Sequence, residues 1–102
     1  MSHHGPEFKV KEKLKDHLRR QGCYWFMPVQ TGYGATSLDF LACFVGEFHA
    51  YECKARGQKL TPRQELVARQ INAAGGNVFV VTLDEDNELN FQPFTGAHPK
   101  KD

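Results

Sequence analysis

Leu38-Asp39-Phe40-Leu41-Ala42-Cys43-Phe44-Val45-Gly46-Glu47-Phe48-His49-Ala50-Tyr51-Glu52-Cys53-Lys54-Ala55 is the stretch on which the fold turns. Two apolar runs flank a glycine, and glycine at the first central position of a two-residue loop favours a type II′ hairpin. The turn is expected at Gly46-Glu47, between strands over 38–45 and 48–55. With Val45 opposite Phe48, Asp39 falls directly across from Lys54. Alternate strand residues share a face, so Asp39, Glu52 and Lys54 converge. A loop one residue longer would turn Asp39 to the other face. Leu41, Cys43, Phe48 and Ala50 make one face apolar, and Phe40, Phe44 and Tyr51 the other. A sheet covered by helices on both sides follows.

Upstream, Pro6 opens a helix to about Gln21, with Gly22 as its stop and Val10, Leu14 and Leu18 as its buried stripe. Glu7 shares that inward face and Glu12 lies opposite. Two readings of Glu7 stand side by side: an acid reaching a site on the sheet, or a first-turn acid complementing the helix dipole. Tyr24 to Val29, bounded by Gly22 and Pro28, reads as a strand fading into the loop Thr31-Gly32-Tyr33-Gly34. That loop is a plain turn, or a place where backbone and Tyr33 meet a nucleic-acid chain.

Downstream, Gly57 to Lys59 is a basic turn. Thr61-Pro62-Arg63-Gln64 then starts a second helix with a capping box, Thr61 as N-cap and Gln64 three residues on. Leu66, Val67, Ile71 and Ala74 are its expected packing stripe, and Gly75-Gly76 its end. Val78-Phe79-Val80-Val81 is a buried strand, parallel to 48–55 because a helix intervenes. Leu89-Asn90-Phe91 adds an edge strand after an acidic turn. The expected organisation is a disordered start over 1–5, one domain over 6–94 and a flexible tail over 95–102.

Length and charge narrow the function. With 102 residues there is room for one modest core, so a large substrate meets the surface. No apolar stretch approaches the ~20 residues of a membrane span. The start lacks a secretory signal, and three cysteines, Cys23, Cys43 and Cys53, show no metal-ligand spacing. A soluble intracellular protein with packing cysteines is expected. The net charge of +1 hides a basic body: residues 1–83 hold eleven Lys/Arg and seven Asp/Glu. Six of those cations lie between Lys9 and Arg20, either as a solvated helix face or as phosphate contacts. His3, His4, His17, His49 and His98 offer no coherent zinc or general-base set.

Carboxylates and an ammonium among apolar strands are costly unless they serve the chemistry of a site. Holding a hard divalent cation is one such use, since magnesium takes oxygen ligands and keeps several waters. Asp39 and Glu52 are the natural ligands, with the carbonyl of Cys53 as a third, since its thiol alternates away. Lys54 would orient a water and neutralise developing negative charge, as phosphodiester hydrolysis requires.

Pro6-Glu7 before a lysine-rich helix, Phe26-Met27-Pro28-Val29, Gly32-Tyr33-Gly34, Leu38-Asp39-Phe40-Leu41, Gly46-Glu47-Phe48, Glu52-Cys53-Lys54-Ala55, Lys59-Leu60-Thr61-Pro62-Arg63-Gln64 and Ala74-Gly75-Gly76 occur in this order. From about residue 6 to 83 the chain resembles a phage-type virus-type replication-repair nuclease (VRR-NUC) domain. That family belongs to the PD-(D/E)xK superfamily and is similar to Holliday-junction resolvases. The resemblance implies an α/β single domain with an α-β-β-β-α-β mixed sheet flanked by helices. It implies a Mg²⁺- or Mn²⁺-dependent endonuclease, branched or junction DNA as partner, a homodimer, and a cytoplasmic setting, including a phage-infected host. Asp39, Glu52, Lys54 and Gln64 carry over as catalytic residues, and Glu7, Asp39, Glu52 and Cys53 as the metal set. Lys9, Lys11, Tyr33, Arg56, Lys59 and Arg63 are the expected DNA contacts. The pattern commonly has proline before the aspartate; Leu38 stands there instead, with Ser37 before it, and because proline has no chemical task the site geometry is expected to survive. Rival readings are a noncatalytic nucleic-acid-binding module and a nonspecific or restriction-type nuclease.

Overall fold

Val10, Leu14 and Leu18 are each no more than 1% exposed, which fixes the inward face of the first helix, α1 (Pro6–Gln21). The computed structural model describes residues 5–29 and 37–96. Pro6 sits at the start of α1, where a missing N–H removes no helical bond. Gly22 ends it in the left-handed region, φ 71°, and its N–H donates to the Arg19 carbonyl at 3.2 Å. Strands β1 (Tyr24–Phe26), β2 (Phe40–Phe44) and β3 (Glu47–Cys53) follow, then helix α2 (Pro62–Ala73) and strands β4 (Asn77–Leu83) and β5 (Leu89–Pro93).

The five strands lie in chain order in one sheet. All neighbours are antiparallel except β3 and β4, which are parallel across the α2 crossover. The α/β, α-β-β-β-α-β core with a mixed sheet therefore matches the expectation, and β5 extends it. β1 stops at Phe26, short of Val29, because Pro28 cannot donate to a ladder.

Alternation assigns the faces. On the α1 side Phe40, Ala42, Tyr51, Cys53 and Val81 pack with Val10, Leu14 and Leu18, with Trp25, Phe79 and Phe91 around them. On the α2 side a smaller cluster joins Leu38, Ala50, Ala68 and Val78, supported by Leu41, Val67 and Ile71. No helix among the described residues is long and apolar enough to cross a membrane.

The hairpin turns one residue earlier than expected. Phe44 pairs with Glu47 and Phe40 with Tyr51, so the loop is Val45-Gly46, not Gly46-Glu47. Both loop residues have positive φ, 50° and 79°, the type I′ signature. Valine is a poor residue there, because its branched side chain crowds the backbone. The strands' twist favours the primed turn strongly enough to hold Val45 in it. Extending this register by one pair sets Asp39 across from Glu52 rather than Lys54. The shift is two residues, an even number, so Asp39 keeps its face.

Helix α2 is also rotated from the expected phase. Its buried residue is Ala68, whereas Leu66 is 55% exposed and Ala74 is the exposed C-cap. The inward stripe is Gln64, Val67, Ala68 and Ile71, at helical spacing. That phase brings Gln64 down onto the sheet. Among the cysteines, Cys53 is buried and Cys23 half-buried, but Cys43 is exposed, since α2 does not extend over its part of the face.

Candidate active site

Asp39, one residue before β2, meets Glu52, the penultimate residue of β3. The Asp39 N–H donates to Glu52 Oε1 at 3.1 Å, and the Cys53 N–H donates to Asp39 Oδ2 at 3.0 Å. Side-chain oxygens thus take the place of ladder carbonyls just beyond the paired strand. Glu52 is 3% exposed and Lys54 7%, on the α2 face of the sheet. The Lys54 N–H is anchored to the Val81 carbonyl at 2.9 Å, which extends the β3–β4 pairing by one residue.

Gln64 completes the group from α2. Its Oε1 accepts the Thr61 N–H at 3.0 Å, while its own N–H donates to Thr61 Oγ1 at 3.2 Å, the full capping box. Because the cap uses the amide oxygen, the amide nitrogen is left to donate to Glu52 Oε2 at 3.0 Å. One side chain caps the helix and holds the acid.

Electrostatics follow from the burial. Loss of water first, and the neighbouring Asp39 charge second, push the Glu52 carboxyl up to about 8, against the opposing pull of Lys54. Among the described residues Lys54 makes no ion pair within 4 Å, so its charge acts on Glu52 without contact. Lys11 of α1 places its Nζ 3.7 Å from Asp39 Oδ1. The Cys53 thiol lies in the α1 core, and burial pushes it up beyond the usual thiol range. It is chemically silent as a nucleophile.

The remaining expected residues are dispersed. Glu7 lines an open hollow with Lys11, Ala55 and Gln58. Among the described residues no three His, Cys, Asp or Glu side chains gather closely enough to hold an ion. Glu7 is therefore not drawn in beside Asp39 and Glu52 as a third carboxylate. Lys9 and Arg56 line a second depression with Pro6, Ala55 and Leu83, while Lys59 and Arg63 are exposed around the start of α2. Tyr33 and its loop lie outside the described residues, as do His3, His4 and His98.

The two central histidines belong to the other face. His17 packs against Phe91, ring centroids 5.0 Å apart, and burial, then Arg20, lowers its proton affinity. Burial pushes the Tyr51 phenol up to about 12, and its hydroxyl shares a hydrogen bond with His49 Nδ1 at 2.9 Å. His49 Nε2–H then donates to Glu47 Oε1 at 3.2 Å.

The donor set suits a hard cation. Two carboxylates side by side on a water-poor face repel one another, and a divalent ion between them relieves that repulsion. Two acids leave coordination positions for water, as magnesium and manganese require. The set lacks the sulfur and nitrogen ligands of a closed structural zinc site. Lys11 was expected only as a DNA contact; the signal for its place here is its spacing of four from Glu7, which puts both on one helix face.

The architecture is a PD-(D/E)xK-like α/β fold. Among solved structures the chain is similar to Hjc, a Holliday junction resolvase from the archaeal hyperthermophile Archaeoglobus fulgidus, with TM-score 0.65 and 18% identity over 83% of this chain and 74% of that one. At that identity the likeness establishes the fold. No protein-family model and no curated protein sequence matches the chain.

Proposed function

We propose that the chain is a divalent-metal-dependent endonuclease that hydrolyses DNA phosphodiester bonds, with branched or Holliday-junction DNA as its substrate. The observation that carries this reading is the gathering of Asp39, Glu52, Lys54 and Gln64 on one sheet face of a resolvase-like fold. Asp39, Glu52 and the Cys53 carbonyl would hold Mg²⁺ or Mn²⁺, with Glu7 joining from α1 through retained water. Such an ion, when bound, supplies Lewis acidity to the scissile phosphate and the attacking water.

The chain's own groups do the rest. Gln64 fixes the Glu52 carboxylate so that it faces the site in one orientation. Lys54, anchored through its backbone to β4, presents positive charge where negative charge develops on the phosphate. Lys9, Arg56, Lys59, Arg63 and Tyr33 are the proposed contacts to the flanking DNA backbone.

The VRR-NUC assignment and a cytoplasmic setting, including that of a phage-infected bacterium, belong to the same proposal and rest on the sequence motifs. So does a homodimer presenting two sites to two strands. Exposed Tyr24 and Phe26, 73% and 45%, on the edge strand β1 support a partner copy there.

Purified protein incubated with four-way junction, flap, single-stranded and linear duplex DNA in Mg²⁺, Mn²⁺ or EDTA tests the reading. Metal-dependent cutting, strongest on the junction, is expected. Asp39→Asn should lower the rate by roughly 10²–10³-fold while leaving the fold intact. No cutting of any substrate would sink the nuclease reading, and metal-independent DNA binding without cutting would favour a noncatalytic module.

A further inference from the structure

Among the described residues, one ion pair joins α1 to the sheet, and it is the contact between Lys11 and Asp39. The other paired cations of α1 are committed along the helix: Lys15 to Glu12 at 2.8 Å and Arg19 to Asp16 at 3.1 Å. Lys11 stands four residues beyond Glu7, a spacing that favours a pair within the helix, yet its ammonium lies at Asp39. At 3.7 Å the contact is an ion pair without a hydrogen bond.

The two partners differ in mobility. Asp39 has 14% of its side chain exposed and is pinned through Oδ2 by the Cys53 amide. Lys11 has 33% exposed and sits at the rim of an open hollow on a flexible four-carbon stem. The acid is fixed and its counter-charge can move.

We propose that Lys11 is a resident counter-ion, holding the cation position at Asp39 Oδ1 until a divalent ion displaces it. The inference rests on the metal-binding reading above. An ammonium and a divalent ion cannot share one carboxylate oxygen without strong like-charge repulsion at contact distance. Lys11 swings out because its stem is a third exposed, whereas Lys54, 7% exposed and enclosed on the α2 face, stays. The displaced ammonium then lies free in the hollow beside the site, available to a phosphate. Lys11 is in this sense a positioning residue that shields half-buried Asp39 from bulk cations of low charge and gives way to a divalent one.

Calorimetric titration with Mn²⁺ alone, in the absence of DNA, tests this without any activity measurement. Lys11→Gln should bind Mn²⁺ about fivefold more tightly than the unaltered protein, the value of one partly exposed ion pair. Lys11→Met, which keeps the stem and the helix propensity, should do the same. Lys11→Arg should stay near the starting affinity. Lys13→Gln makes the same change in net charge on an exposed part of α1 and should shift binding by less than about twofold. Equal or weaker binding by both Lys11→Gln and Lys11→Met, with the unaltered protein binding Mn²⁺, would overturn the counter-ion role alone. Absence of Mn²⁺ binding in every protein would overturn the metal-binding reading beneath it and the inference with it.

Discussion

The two faces of the sheet are cut from the same strands and are built to opposite ends. Tyr51 and Cys53 of β3 face α1 and join a continuous apolar cluster with Phe40, Leu14 and Leu18. Glu52, between them, and Lys54 face the other way and are buried with their charges. The α2 cluster is smaller and lies towards Ala50 and Val78. Burying apolar surface stabilises the fold, whereas burying carboxylates opposes it unless they are paired. The α1 face therefore carries the stability that lets the α2 face hold a buried polar group. In a chain of 102 residues this division leaves little reserve.

That contrast can be broken by substitution. The largest effect belongs to the α1 face: Phe40→Ala should lower stability by about 3–5 kcal/mol in urea unfolding, because Phe40 is fully buried. A loss below ~1 kcal/mol would mean that the two faces share the load.

Glu52→Gln should act in the opposite direction. In metal-free protein, Glu52 holds its proton more tightly folded than unfolded, with its value raised from 4.5 to about 8. It therefore contributes stability that is full below the ordinary value and is lost as pH rises towards about 8. The unfolding free energy of the unaltered protein should fall across that window by on the order of 4 kcal/mol, and that of Glu52→Gln should stay level. Mg²⁺ at pH 8 should restore much of the loss only where Glu52 is present. A flat profile in the unaltered protein would show that the acids are already compensated.

The smallest effect separates the two duties of Gln64. Glutamate caps a helix as well as glutamine does, but it offers Glu52 an acceptor in place of a donor. Gln64→Glu should leave stability at pH 5 nearly unchanged and lower it by about 1 kcal/mol at pH 8 without metal. An equal loss at both pH values would confine Gln64 to the cap.

Much of this arrangement is legible in the residues. Periodicity places α1, because Val10, Leu14 and Leu18 leave no second choice of inward face. The capping box places the start of α2, and the Val-rich run places β4. The hairpin turn is harder: glycine marks the loop, but glycine fits both a type I′ and a type II′ turn at different positions. Sequence preference argues against Val45 at positive φ, and strand twist overrides it. The site survived that displacement because face depends on parity and a two-residue shift preserves it. The phase of α2 was hidden for a different reason. Leu66 is the more hydrophobic residue, but the demand of buried Glu52 for a donor turns Gln64 inward and Leu66 out. Lys11 shows the reach of charge patterning, since its spacing from Glu7 marks the face but cannot say which acid it will meet.

The crossed bonds at the end of the hairpin have a practical consequence. Each acid accepts a backbone N–H from the opposite strand: Asp39 that of Cys53, and Glu52 that of Asp39. In a ¹H–¹⁵N spectrum the Cys53 resonance should follow the charge on Asp39, and the Asp39 resonance that on Glu52. Each carboxylate thereby has its own amide reporter on the opposite strand, with no probe attached to the site.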